Sequence, residues 1–227
     1  MGTDISFRRP DGKPAAGYLA NAANRGAPGI VVIQEWWGLQ GQIKGLCDRL
    51  AAIGFNALAP DLYAGAVVPY HDSDQANQRM AALDFIDVIE QTVRGAAGVF
   101  LRDGKEVAVA GFCLGGAVTI IAAAKIPELS AAVAFYGIPP ESVVKPADIA
   151  IPLQCHFANQ DDWCTPALVD RLENGLKAAG KTYELYRYDA SHAFMNEERP
   201  GVHDQRAAEQ AWQRTGLFLR SHLFDEV

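Results

Sequence analysis

The stretch Val107-Ala108-Val109-Ala110-Gly111-Phe112-Cys113-Leu114-Gly115-Gly116-Ala117-Val118 leaves the chain little freedom in how it folds. An apolar, β-branched run ends at Gly111. Small and apolar residues then continue at helix-compatible spacing to Lys125, and one cysteine stands between two glycines. The pattern predicts a strand, a one-residue corner and a helix. Glycine on both flanks has a steric reason: a Cβ two positions from a strained corner would strike the neighbouring strand or helix. Such a corner pushes its central side chain out above a sheet, so Gly-x-Cys-x-Gly predicts a presented nucleophile at Cys113. The N–H of Leu114, opening the helix, would point at a developing oxyanion, and the helix dipole favours negative charge there, a thiolate included.

The rest of the chain supplies the sheet this corner needs. An antiparallel hairpin is expected over residues 5–9 and 16–20 about the Pro10-Asp11-Gly12 turn. The run Gly29–Gln34 is apolar throughout, as a strand buried on both faces would be, and it ends in Glu35-Trp36-Trp37-Gly38. A helix over 43–53 and a strand over 56–60 complete a β-α-β unit. A Gly- and Pro-rich loop over 63–74 precedes one helix from about Gln75 to Leu101. Further strands are expected at 131–136, 153–158 and 183–188, with helices at 168–179 and from about His203 to Leu223. Alternation of this kind specifies an α/β fold: a mostly parallel central sheet with helices on both faces, in one domain spanning 1–227 and without a separate lid.

Composition narrows the partners. The 227 residues are 49% hydrophobic and 21% charged with a net charge of -7, so no basic surface offsets phosphate repulsion, and neither nucleic acid nor membrane is the expected partner. A small molecule is. The N-terminus lacks the apolar core of a signal peptide, and Cys47, Cys113, Cys155 and Cys164 lie far apart without CxxC spacing. Both features predict a cytoplasmic, reduced protein; a monomer or weak homo-oligomer is the expected state. No cluster has metal-ligand spacing, so no metal and no cofactor are expected.

In an open α/β sheet, ligands bind beyond the carboxyl ends of the strands. Three residues of complementary chemistry follow strands there: Cys113, then Asp162 in Asn159-Gln160-Asp161-Asp162-Trp163-Cys164-Thr165-Pro166, then His192 in Asp189-Ala190-Ser191-His192-Ala193-Phe194. Nucleophile, acid, histidine is the chain order of a hydrolase triad. Asp161 competes with Asp162 for the middle place; the spacing to Pro166 favours Asp162 and leaves Asp161 as a turn residue or cap. Glu35, a carboxylate ending a buried strand, calls for a partner or a role. Trp36, Trp37, Tyr136 and Trp163 serve equally as packing or pocket walls, and His156, within a strand, reads as a satisfied core histidine.

Five segments in this order resemble the dienelactone hydrolases (carboxymethylenebutenolidases) of the α/β-hydrolase superfamily: Gln34-Glu35-Trp36-Trp37-Gly38, Ala59-Pro60-Asp61-Leu62-Tyr63, Gly111-Phe112-Cys113-Leu114-Gly115-Gly116, Asp162 with Pro166, and Ser191-His192-Ala193-Phe194. The resemblance covers nearly the whole chain and implies the α/β-hydrolase fold. It implies Cys113 as nucleophile, His192 as base and Asp162 as the residue orienting it. It further implies an oxyanion hole from the N–H groups of Leu114 and Trp36, and a Glu35 that holds the resting thiol. The implied reaction converts dienelactone (4-carboxymethylenebut-2-en-4-olide) to maleylacetate through an acyl-Cys113 intermediate. Hydrolysis of other small esters or lactones, a Cys-dependent transferase and a silent thiol-sensing protein are the alternatives. One position departs from the family pattern: where an arginine four residues after the histidine helps bind the substrate carboxylate, this chain has Asn196, an uncharged amide that gives no bidentate charged contact. Substrate contacts are expected from Arg79, Asn196, Tyr136 and Trp37, with Arg199 a further candidate at the mouth.

Overall fold

Apolar runs too short for helices become the inner strands of one twisted sheet. The computed structural model describes residues 1–224; residues 225–227 of the expected domain lie outside the described residues. The strands are β1 (Thr3–Arg8), β2 (Pro14–Ala20), β3 (Gly29–Ile33), β4 (Asn56–Pro60), β5 (Val107–Phe112), β6 (Ala131–Phe135), β7 (Leu153–Gln160) and β8 (Tyr183–Ser191), side by side in the order β1-β2-β4-β3-β5-β6-β7-β8. β1, β2 and β4 pair antiparallel, and every pairing from β4 through β3 to β8 is parallel.

β3 to β6 are buried at every position, because each face of the sheet carries helices. On one face Ile30, Val32, Ala108 and Ala110 pack with α1 (Gly41–Ala52) and α7 (Gln205–Leu223). On the other, Val31, Ile33, Val107 and Val109 meet α4 (Arg94–Leu101), α5 (Leu114–Lys125) and α6 (Pro166–Ala178). The alternation along each strand divides its side chains between these two cores. Among the described residues no helix is long and apolar enough to cross a membrane.

The expected single helix from Gln75 to Leu101 is not continuous. α2 (Ser73–Ala81) stops, and a new start follows at α3 (Phe85–Asp87), which runs through a π-helical stretch, Val88–Val93, into α4. Asp84 makes the break: its carboxylate accepts the N–H groups of Ile86 and Asp87, capping a fresh helix where periodicity alone suggested continuation. β7 and β8 also extend past their expected ends, to Gln160 and Ser191, with a slip of register beyond Ala158. The last helix opens two residues into the expected segment, at Gln205, capped by Asp204.

Candidate active site

The corner forms as the glycines require. Cys113 has φ 56° and ψ -116°, a conformation that costs a non-glycine residue about 1–3 kcal/mol. A Cβ on Gly111 would strike the carbonyl of Gly115, and one on Gly115 would strike the carbonyl of Ile33 in β3, so the helix approaches the sheet closely only because both are bare. The Cys113 N–H donates to the Phe135 carbonyl at 3.0 Å, which ties the corner to β6.

β8 delivers His192 to the same place. Its Nε2 lies 3.2 Å from Cys113 Sγ, and its Nδ1 lies 2.7 Å from Asp161 Oδ2. The other oxygen of Asp161 accepts the N–H groups of Trp163 and Cys164 at 2.8 and 2.9 Å. Burial disfavours charge on His192, but the hydrogen bonds and charges of Asp161 and Cys113 outweigh it and raise its pKa to about 10. Burial likewise pushes the Asp161 carboxyl up, and His192 with the two N–H donors more than reverses this, holding it below the usual carboxylate range. His192 Nε2 is thereby placed to exchange a proton with Cys113 Sγ.

Here the sequence expectation is corrected. Asp162, its side chain exposed at the pocket wall, does not reach His192; Asp161, buried, does. The expectation set capping against orienting as alternatives for Asp161, whereas its two oxygens perform one each.

Glu35 is 2% exposed, beneath the pocket. Tyr136 Oη donates to its Oε1 at 3.2 Å and Asn196 Nδ2 to its Oε2 at 2.8 Å. Burial raises the Glu35 pKa, against the pull of Asn196, His192, Arg199 and Tyr136. Asn196 is fully buried in that contact, and so is not free to meet a substrate as expected. Tyr136, also fully buried, keeps its ring 5.1 Å from that of His192 and lines the pocket beside Trp37. Arg79 is exposed on α2 and forms no part of the pocket wall, although its neighbour Met80 does.

The pocket above Cys113 has a volume of about 700 Å³. The residues bearing the two expected oxyanion donors, Trp36 and Leu114, line it. Arg199 is the one Arg or Lys among the described residues of its wall, and no carboxylate lies within ion-pair distance of it among those residues. Its guanidinium sits 5.3 Å over the Trp37 ring and 5.9 Å over that of Tyr70. Trp36 bridges Trp37 to the exposed Trp163 by edge-on contacts of 5.1 and 5.5 Å. His156 is the satisfied core histidine expected: burial lowers its pKa to about 3, and Tyr188, Gln154 and Thr215 surround its ring nitrogens. Among the described residues no group of three or more His, Cys, Asp or Glu side chains is placed to hold a metal ion.

With the geometry in place, comparison with known proteins is specific. The sequence profile of the dienelactone hydrolase family matches residues 15–223. The chain belongs to the dienelactone hydrolase family. Membership makes it a hydrolase of esters or lactones with the α/β-hydrolase fold. A candidate carboxymethylenebutenolidase of Aquifex aeolicus is 32% identical, with 98% of this chain and all of that protein aligned. The protein Usf of Aquifex pyrophilus is 34% identical over the same shares. Among solved structures, a candidate dienelactone hydrolase from Klebsiella pneumoniae superposes with a TM-score of 0.83 at 28% identity, covering 95% of this chain and 97% of that one. A dienelactone hydrolase-like promiscuous phosphotriesterase from metagenomic libraries shares the fold at 23% identity and a TM-score of 0.79.

Proposed function

We propose that the protein hydrolyses small lactones and activated esters through an acyl-Cys113 intermediate, with dienelactone the leading substrate. The observation that carries this reading is the unbroken line from Asp161 through His192 to Cys113 Sγ on the floor of a pocket. Sγ attacks the carbonyl carbon, a C–S bond forms, and the N–H groups of Leu114 and Trp36 receive the oxyanion. Collapse breaks the ester C–O bond, and the His192 imidazolium gives its proton to the departing enolate. The neutral ring then takes a proton from water, the hydroxide attacks the thioester, and the C–S bond breaks to release the acid. A departing enolate suits this nucleophile, because sulfur competes poorly with a bad leaving group when the intermediate collapses. Asp161 holds the ring throughout. A thiol with this duty requires a reducing setting such as the cytoplasm, and all four cysteines are unpaired.

Glu35 is the residue whose assignment changes most. Its carboxyl oxygens meet Tyr136 and Asn196 rather than the Cys113 thiol that the resemblance implies it holds, and burial favours its neutral acid against the pull of Asn196, His192, Arg199 and Tyr136. We assign the anion-recognising role to Arg199, the one Arg or Lys of the wall among the described residues.

Incubation with p-nitrophenyl acetate should give an acetyl adduct on Cys113 by mass spectrometry. Cys113→Ala should lower kcat by at least about a thousandfold. Retained activity, or an adduct elsewhere, would overturn the proposal. Arg199→Gln should raise KM about tenfold for a lactone bearing a carboxylate and leave its uncharged analogue unchanged; equal effects on both would remove Arg199 from the recognition of charge.

A further inference from the structure

A second cavity, about 350 Å³, adjoins the pocket. Ile138, Pro139 and Pro140, the segment that follows β6, line both. Beyond that shared wall it is lined by Ile120 of α5, by Val144 and Ile149, and by Leu168 and Leu172 of α6. Three of its lining residues, Pro139, Pro140 and Pro146, have no N–H to donate, and its charged groups are limited to Glu141 and Arg171, both on exposed residues. Away from those two, a ligand's hydrogen-bonding groups would find few partners in the lining, at the cost of their desolvation. Hydrocarbon would lose nothing. The adjoining pocket is itself in the upper half of the range of about 300–1,000 Å³ usual for small-ligand sites, which leaves room for more than a single lactone ring.

We propose that this cavity is an acyl-chain subsite: with an ester carbonyl at Cys113, an unbranched aliphatic chain crosses the Ile138–Pro140 wall and lies between α5 and α6. The protein then takes medium-chain acyl esters in addition to small lactones. The inference rests on the ester-hydrolase reading above and adds a substrate class to it.

The test is a series of p-nitrophenyl esters from acetate to octanoate, with wild-type protein and Leu168→Trp. Leu168 is 36% exposed at the cavity rim and outside the reactive pocket, so the larger ring is accommodated by the fold while obstructing the cavity. In the wild type kcat/KM should rise about fourfold per methylene over the longer members, the gain expected from burying each one. Leu168→Trp should cut octanoate hydrolysis at least about tenfold and leave acetate within about twofold. A flat or falling series in the wild type, or an equal loss on all esters in the variant, overturns the subsite while leaving the hydrolase reading intact. Failure to cleave even acetate would count against the hydrolase reading, and the subsite falls with it.

Discussion

Asp161 spends one oxygen on His192 and the other on the N–H groups of Trp163 and Cys164. The turn that positions the acid is thereby closed by the acid itself. Asp161→Asn should lower kcat by at least about a hundredfold, because an amide offers the ring a weaker and wrongly polarised partner, whereas Asp162→Asn should stay within a few-fold. Stability carries a second signature. His192 has its folded pKa raised from 6.5 to about 10, so its contribution is complete below about pH 6.5 and is lost as pH rises through 10. Asp161, lowered from 3.8, contributes above about pH 3.8 and loses this as pH falls. The stability gap between wild type and Asp161→Asn, measured by denaturant titration, should therefore be widest between about pH 4 and 6.5 and narrow steadily toward pH 10. A gap independent of pH would separate the pair from stability. The sequence displayed both aspartates, but not which was buried. The strand before them runs two residues past its apolar stretch and slips register against β8 beyond Ala158, and no periodicity records such a slip. Glu35 was legible as a carboxylate at the end of a buried strand. That Asn196 would be its partner was not, because the contact joins residues 161 positions apart in sequence.

The elements that carry these side chains were more legible than the side-chain contacts. The strand, corner and helix around Cys113 follow from steric rules acting within a few residues, and the helix meets β3 through Gly115 as bare backbone must. Gly111→Ala should destabilise the protein by about 3 kcal/mol, within the range of overpacked sites, and lower the Tm by roughly 10 °C in calorimetry. Gly45→Ala, in α1 with nothing within 4 Å of the added Cβ, should instead stabilise by up to about 1 kcal/mol. Equal effects at the two positions would show that close approach is not what glycine supplies at the corner. The missed break between α2 and α3 has the opposite character. It depends on one capping side chain, Asp84, amid residues that would all tolerate a helix.

At the scale of the molecule, alternation of strands and helices disclosed the fold class, and chain order displayed a cysteine, an acid and a histidine of the kinds the structure brings into contact. The lateral order of the strands was not written there, because parallel neighbours are joined by crossovers whose direction depends on packing. That order puts the chemistry in one part of the sheet: Glu35 follows β3, Cys113 follows β5, Tyr136 follows β6, and Asp161 and His192 follow β7 and β8. The β1–β2 hairpin stands at the far margin and lends nothing to the pocket wall among the described residues. It covers the flank of β4, Asn56 to Pro60, which is buried at every position and bonded to β2 from Ala57 to Pro60. Stripped of it, β4 would offer an apolar ribbon of unpaired amides to any other copy of the chain. Removal of residues 1–21 should accordingly yield oligomers that grow with concentration in light scattering, and a monodisperse monomer would refute this. The hairpin is a hem: it keeps one copy from being stitched to the next, and its loss would cloud the solution before it troubled the chemistry.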